Sequence, residues 1–176
     1  NPGLQFVFSC YNHNAHGKIN MTEALEESCN TYFINLLQKT GADKLLYLSE
    51  KLGIENETVL APSIVSAKGS LPDRDSLKSK GVAANLAFGQ GEILITPLKM
   101  AEIYSFLATG SYKRSSLVRG FTNYKGLLST EKSQPEEKLI SDSTVRALRK
   151  MLKSVVDNGK ADKAFSELVS LSGKTG

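Results

Sequence analysis

The stretch that most constrains the fold is Asn20 to Thr40, N-M-T-E-A-L-E-E-S-C-N-T-Y-F-I-N-L-L-Q-K-T, a regular helical pattern interrupted by the polar triplet Ser28-Cys29-Asn30. Met21, Ala24, Leu25, Tyr32, Phe33, Leu36 and Leu37 recur at three- and four-residue steps, and this spacing predicts one buried stripe. Asn20 with Glu23 forms a capping-box pair at the start, and Gly41 suits a left-handed stop at the end. Residues two apart on a helix point about 200° away from each other, so a straight helix could not turn Ser28 and Asn30 to one site. A break is therefore expected at the triplet, with Asn30 capping a second helix over 31–40. The reading without chemistry is that Ser28 and Asn30 are only caps.

Further helices are expected over Ala42 to Leu52, closed by Gly53, and from Thr96-Pro97 to Gly110, with Thr as cap and Pro in the first turn. Ser141 or Ser143 opens another, with Val145, Leu148, Leu152, Val155 and Val156 as its stripe and Asn158-Gly159 as its stop. Leu4 to Phe8 reads as a short extended piece, and Ile54 to Lys80 as an irregular excursion with apolar contacts at Val59-Leu60 and Ile64-Val65. Ser116 to Leu128 reads as one or two short strands, and Ser129 to Lys138 as polar linker. Phe165 to Ser172, rich in β-formers, is expected to be a strand delivering Gly173-Lys174-Thr175-Gly176.

A chain of 176 residues, 40% hydrophobic and 23% charged, is enough for one domain or a large part of one. Its net charge of +4 is spread out and not interleaved with aromatics, which argues against nucleic acid. No run approaches the roughly 20 apolar residues of a membrane span, and no signal-peptide pattern opens the chain. Two cysteines and two histidines are too few for a Cys-rich metal centre, and His13 and His16 read as loop residues, so no metal or cofactor is expected. A phosphate-binding loop around Gly173-Lys174-Thr175 would need a glycine where Leu168 stands.

Taken together, Ser28-Cys29-Asn30, Gly89-Gln90-Gly91 followed by Thr96-Pro97-Leu98, and Lys174-Thr175-Gly176 stand in an order that resembles the transpeptidase domain of penicillin-binding proteins, of the monofunctional class B type. Cys10, His16-Gly17 and Glu23-Ala24-Leu25 leading into Thr31-Tyr32-Phe33 are similar to that class as well. The resemblance implies a mixed α/β, penicillin-recognising fold over residues 1–176, mostly helical here, as a partial domain truncated at both ends. It also implies a serine acyl-enzyme. The family's Ser-x-x-Lys motif has only a spacing match at Ser129, downstream of Ser-x-Asn, so the nucleophile is expected upstream of Asn1.

By the same resemblance Ser28 relays a proton, Asn30 binds the substrate amide, Lys174 adds positive field, Thr175 binds the substrate carboxylate and Gly176 lets the substrate approach. The implied partners are the D-Ala-D-Ala stem peptide of peptidoglycan, β-lactams and other cell-wall synthesis proteins. The place is the extracytoplasmic face of the bacterial membrane, held by an upstream anchor. A β-lactam sensor, a D,D-carboxypeptidase and a non-catalytic helical interaction domain remain as other readings. Cys10 and Cys29 are a candidate redox pair, since a disulfide there would clamp the Ser28–Asn30 turn.

Overall fold

A computed structural model describes residues 8–10, 15–126, 128–130 and 135–176. The Leu4 to Val7 part of the first extended piece, His13 and residues 131–134 of the linker lie outside them; Phe8 belongs to no strand. Helix predominates, and the chain divides into two units. The first holds residues 1–45, 72–92 and 142–176; the second holds 46–71 and 93–141.

The first unit is built on α1 (Met21–Glu26), α2 (Asn30–Thr40), α4 (Lys80–Ala87) and α6 (Asp142–Asp157), with α1 packed on α6 and α2 on α4. The expected capping box is present: the Asn20 side chain accepts from the Thr22 and Glu23 N–H groups, while Glu23 accepts from Asn20 N–H at 2.7 Å. The break at the triplet is also present, but its chemistry differs from expectation. Cys29 N–H donates to Ala24 O (2.8 Å) and Ser28 N–H to Leu25 O (3.2 Å). These are the two bonds of a Schellman motif, and they place Ser28 at the position where glycine usually sits. Its φ is accordingly +51°.

Asn30 is not a cap. Cys29 precedes α2 without a side-chain cap bond, and the Asn30 amide instead donates to the Ser9 carbonyl at 3.3 Å. Because the break resets the helical phase, the single predicted stripe does not survive: Ala24 and Ile34 are the buried residues, and Met21 is exposed. Gly41 closes α2 with positive φ (84°) but extended ψ (145°), short of the left-handed pair expected.

Helix α3 (Ala42–Lys51) carries the chain over the division. In the second unit Val59–Ala61 (β1) pairs antiparallel with Ile64–Val65 (β2), so the two apolar contacts foreseen in the irregular excursion form a hairpin. Helix α5 (Pro97–Thr109) starts and stops as its sequence predicts, Thr96 accepting from Lys99 N–H and Gly110 adopting φ 85°, ψ −3°. Gly120–Thr122 (β3) and Leu128–Thr130 (β4) make a second hairpin. Its return strand reaches into the segment expected to be linker.

The core of this unit contains charge. Lys99 and Glu102 are 4% and 2% exposed, and their ion pair closes at 2.6 Å. Lys99 Nζ also donates to Tyr112 Oη (2.9 Å), Tyr112 O–H donates to Leu52 O (2.7 Å), and Ser115 N–H donates to Glu102 (2.7 Å). Burial tends to raise the Glu102 pKa, but the bonds from Lys99 and Ser115 outweigh it and hold the carboxyl below its ordinary range.

The strand expected over 165–172 does not form. β-Propensity expresses fit to a half-buried pleated surface. Phe165, Leu168, Val169 and Leu171 are instead 57%, 94%, 57% and 41% exposed, and no described strand pairs with them.

Candidate active site

The Lys174 segment is held without a ladder. Gly173 N–H donates to Leu152 O of α6 at 3.1 Å, which fixes the next residue against α1. From there Lys174 Nζ donates to Ser28 Oγ at 2.6 Å, across 146 positions of sequence, and to Thr175 O (2.9 Å) and Thr175 Oγ1 (3.1 Å). Ser28 Oγ and Thr175 Oγ1 are 3.5 Å apart. The Schellman turn lifts Ser28 off the helix axis, and the new helix start brings Asn30 to the same side. A cleft of about 580 Å³ is lined by Ser28, Asn30, Lys174, Thr175 and Gly176, with Leu25, Phe33 and Phe88 as apolar walls. All five sequence-read site residues therefore meet in one place.

Two polar lining residues were not foreseen as site residues. Gln90 is presented between Gly89 and Gly91, both at positive φ, and only the glycine pair signals it in sequence. Lys160 follows the α6 stop. A Cβ at Gly159 would stand 2.8 Å from Glu26 Cα, so only glycine lets the chain leave α6 this close to α1. Lys160 N–H then donates to Glu26 O (3.1 Å) and its ammonium to Glu27 O (2.8 Å), with Glu27 Oε2 at 3.5 Å. Desolvation, and after it the charge of Lys160, lower the Lys174 pKa. Among the described residues no carboxylate stands within ion-pair distance of Lys174. The cleft thus offers two hydroxyls and a partly desolvated ammonium to an incoming anion.

Cys10 and Cys29 are free thiols, both buried, with sulfurs 3.6 Å apart. His16, read from sequence as a loop histidine, joins them: its side chain is 13% exposed, and one ring nitrogen and both sulfurs all lie within 4.8 Å of one another.

The family profile "Penicillin binding protein transpeptidase domain" matches residues 2–176, and the chain belongs to that family. Peptidoglycan D,D-transpeptidase MrdA of Acinetobacter baumannii is 28% identical over 187 residues, 99% of this chain and 27% of that protein. Stage V sporulation protein D of Bacillus subtilis is 26% identical over 172 residues, 95% of this chain and 26% of that protein. The chain thus spans less than a third of the length of these curated relatives. Among solved structures, the D,D-transpeptidase domain of a peptidoglycan glycosyltransferase from Eggerthella lenta superposes with a TM-score of 0.82 at 28% identity, over 96% of this chain and 44% of that one. The ceftriaxone acyl-enzyme complex of penicillin-binding protein A from M. tuberculosis shares the fold, with a TM-score of 0.83 at 23% identity over 99% and 39%. Family and mixed, mostly helical fold are those the motifs indicated. No helix among the described residues is long and apolar enough to cross a membrane.

Proposed function

We propose that this chain supplies the leaving-group and carboxylate-binding side of a D,D-transpeptidase that cross-links peptidoglycan on the outer face of the bacterial membrane. It acts with a serine nucleophile from a Ser-x-x-Lys motif outside residues 1–176. The observation that carries this reading is the 2.6 Å bond from Lys174 to Ser28 Oγ. Because the ammonium donates to that oxygen, the Ser28 proton is left to point into the cleft, where it can pass to the leaving amine during acyl transfer. Lys174 and the Thr175 hydroxyl bind the terminal carboxylate of a D-Ala-D-Ala peptide, or the corresponding carboxylate of a β-lactam. The Asn30 amide bonds the substrate amide, and Gly176, without a side chain, admits the peptide backbone.

The apolar walls at Leu25, Phe33 and Phe88 support this by keeping the ammonium partly desolvated, which strengthens its pull on an anion. Labelling with a fluorescent penicillin tests the reading. The chain alone should take up no covalent label, while the longer protein that includes its Ser-x-x-Lys should label, and Lys174→Ala in that protein should slow labelling about 10- to 100-fold. Stable labelling of residues 1–176 alone, or full-rate labelling of the Lys174→Ala protein, would overturn it.

A further inference from the structure

The cluster of Cys10, His16 and Cys29 lies outside the lining of the cleft and has no part in acyl transfer. Two facts point it toward a metal. First, the sulfurs are 3.6 Å apart. A covalent disulfide holds its sulfurs at about 2.0 Å, whereas two thiolates on one tetrahedral zinc, each at about 2.3 Å, stand about 3.8 Å apart. The observed spacing is close to that tetrahedral edge. Second, His16 Nδ1 is buried and has no hydrogen-bond partner. Its other nitrogen, Nε2, lies 3.8 Å from Glu27 Oε2, which leaves Nδ1 as the ring nitrogen without a neighbouring partner. A ligating histidine whose far nitrogen faces a carboxylate is the usual arrangement behind a zinc ion.

We propose that Cys10, His16 and Cys29 bind one borderline-soft divalent ion of the zinc class, which clamps the turn presenting Ser28 and Asn30. Two thiolates and an imidazole suit zinc over magnesium or calcium, which prefer oxygen, and water takes the fourth corner. Binding displaces one proton from each thiol, both to solvent, and changes no oxidation state. Cys29 is the residue between Ser28 and Asn30, and its N–H closes the Schellman turn onto Ala24, so an ion on its sulfur fixes the turn from behind. The site stands apart from the acyl-transfer reading and survives if that reading fails.

The protein, purified with reductant and without chelator, should carry about one zinc per chain by plasma mass spectrometry. After stripping, cobalt(II) should restore about one equivalent, with thiolate charge-transfer and tetrahedral ligand-field absorption. Cys10→Ser and His16→Ala should each lower the affinity more than tenfold, and Glu27→Gln about tenfold. Should the cysteine variant misfold, the unmutated protein gives the same answer: its melting temperature should fall on stripping and return with zinc but not magnesium. Reduced protein that takes up neither zinc nor cobalt would overturn the site, as would variants that bind as tightly as the parent. So would a Cys10–Cys29 disulfide whose reduction restores no metal uptake, the result that leaves the pair a redox couple alone.

Discussion

Among the described residues each unit of the molecule contains one partly or wholly buried lysine, and the two are treated in opposite ways. Lys99, in the second unit, has its counter-ion built in: Glu102 at 2.6 Å, with Tyr112 bonded to the ammonium and Ser115 to the carboxylate. Lys174, in the first, faces the Ser28 and Thr175 hydroxyls and a carbonyl, and among the described residues no carboxylate. A charge neutralised within the fold holds structure together. A charge left with neutral partners keeps its field for a ligand, and its lowered pKa is the mark of that exposure to desolvation without compensation.

The largest expected effect breaks the structural lysine. Lys99→Met leaves Glu102 buried without its cation and should destabilise folding by about 3–5 kcal/mol in urea unfolding. Adding Glu102→Leu should recover most of that loss, since a buried pair replaced by apolar groups is often neutral. If the double variant is no better than the single, the pair is more than locally compensated and the contrast with Lys174 weakens.

Lys174→Met should behave in the reverse way. The melt should move by less than about 0.5 kcal/mol or rise slightly, while binding of a carboxylate-bearing β-lactam to the longer protein should weaken by about 1.5–3 kcal/mol, by competition against a fluorescent ligand.

Asn20→Ala sharpens the comparison by measuring an ordinary local term in the site's own unit, without touching either lysine. Loss of the capping box should destabilise the chain by about 1 kcal/mol, read from the same urea curve.

The smallest effects are in pH. The folded pKa of Glu102 is depressed, so its contribution to stability is complete above the ordinary carboxyl value of about 4.3 and fades as pH falls through the lower folded value. Lys174 is depressed too, but as a base: folding penalises its charged form, so its unfavourable term shrinks as pH rises from the folded value toward about 10.4. Carboxylate binding should decline over that same window, at lower pH than an unperturbed lysine would give. Binding and melting followed together across the basic range should diverge.

Much of the cleft was legible from three short motifs because local physics writes them locally. The opposed directions of Ser28 and Asn30 demanded a break, and the break is there; Thr96-Pro97 and Asn20-x-x-Glu23 signed their helix starts. What was not legible depends on residues far apart in sequence. Lys99 and Glu102, one helical turn apart, carry no sign of burial in the sequence, and only Tyr112 and Ser115, brought alongside by the return of the chain, make them core. Asn30 reads as a cap in the sequence because its acceptor, Ser9 O, is 21 residues away. Phe165 to Ser172 had strand composition, but a strand is a pairing, and composition carries no partner. The place of His16 beside the thiols was not legible in sequence because those sulfurs are six and thirteen positions away.

The positive φ of Ser28 makes position 28 a place where folding and the proton relay proposed above want different residues. Any residue with a Cβ is held there against its own preference, at about 1 kcal/mol, and glycine would relax the turn. Variation driven by stability alone would favour glycine there and remove the hydroxyl from the cleft while the fold grew firmer. A serine in the left-handed turn therefore carries a conformational cost that glycine would not, and on the relay role proposed above its hydroxyl is what that cost keeps. In a library at this site ranked by thermal tolerance, glycine should stand near the top, and under the proposed relay role it should label slowly with penicillin in the longer protein.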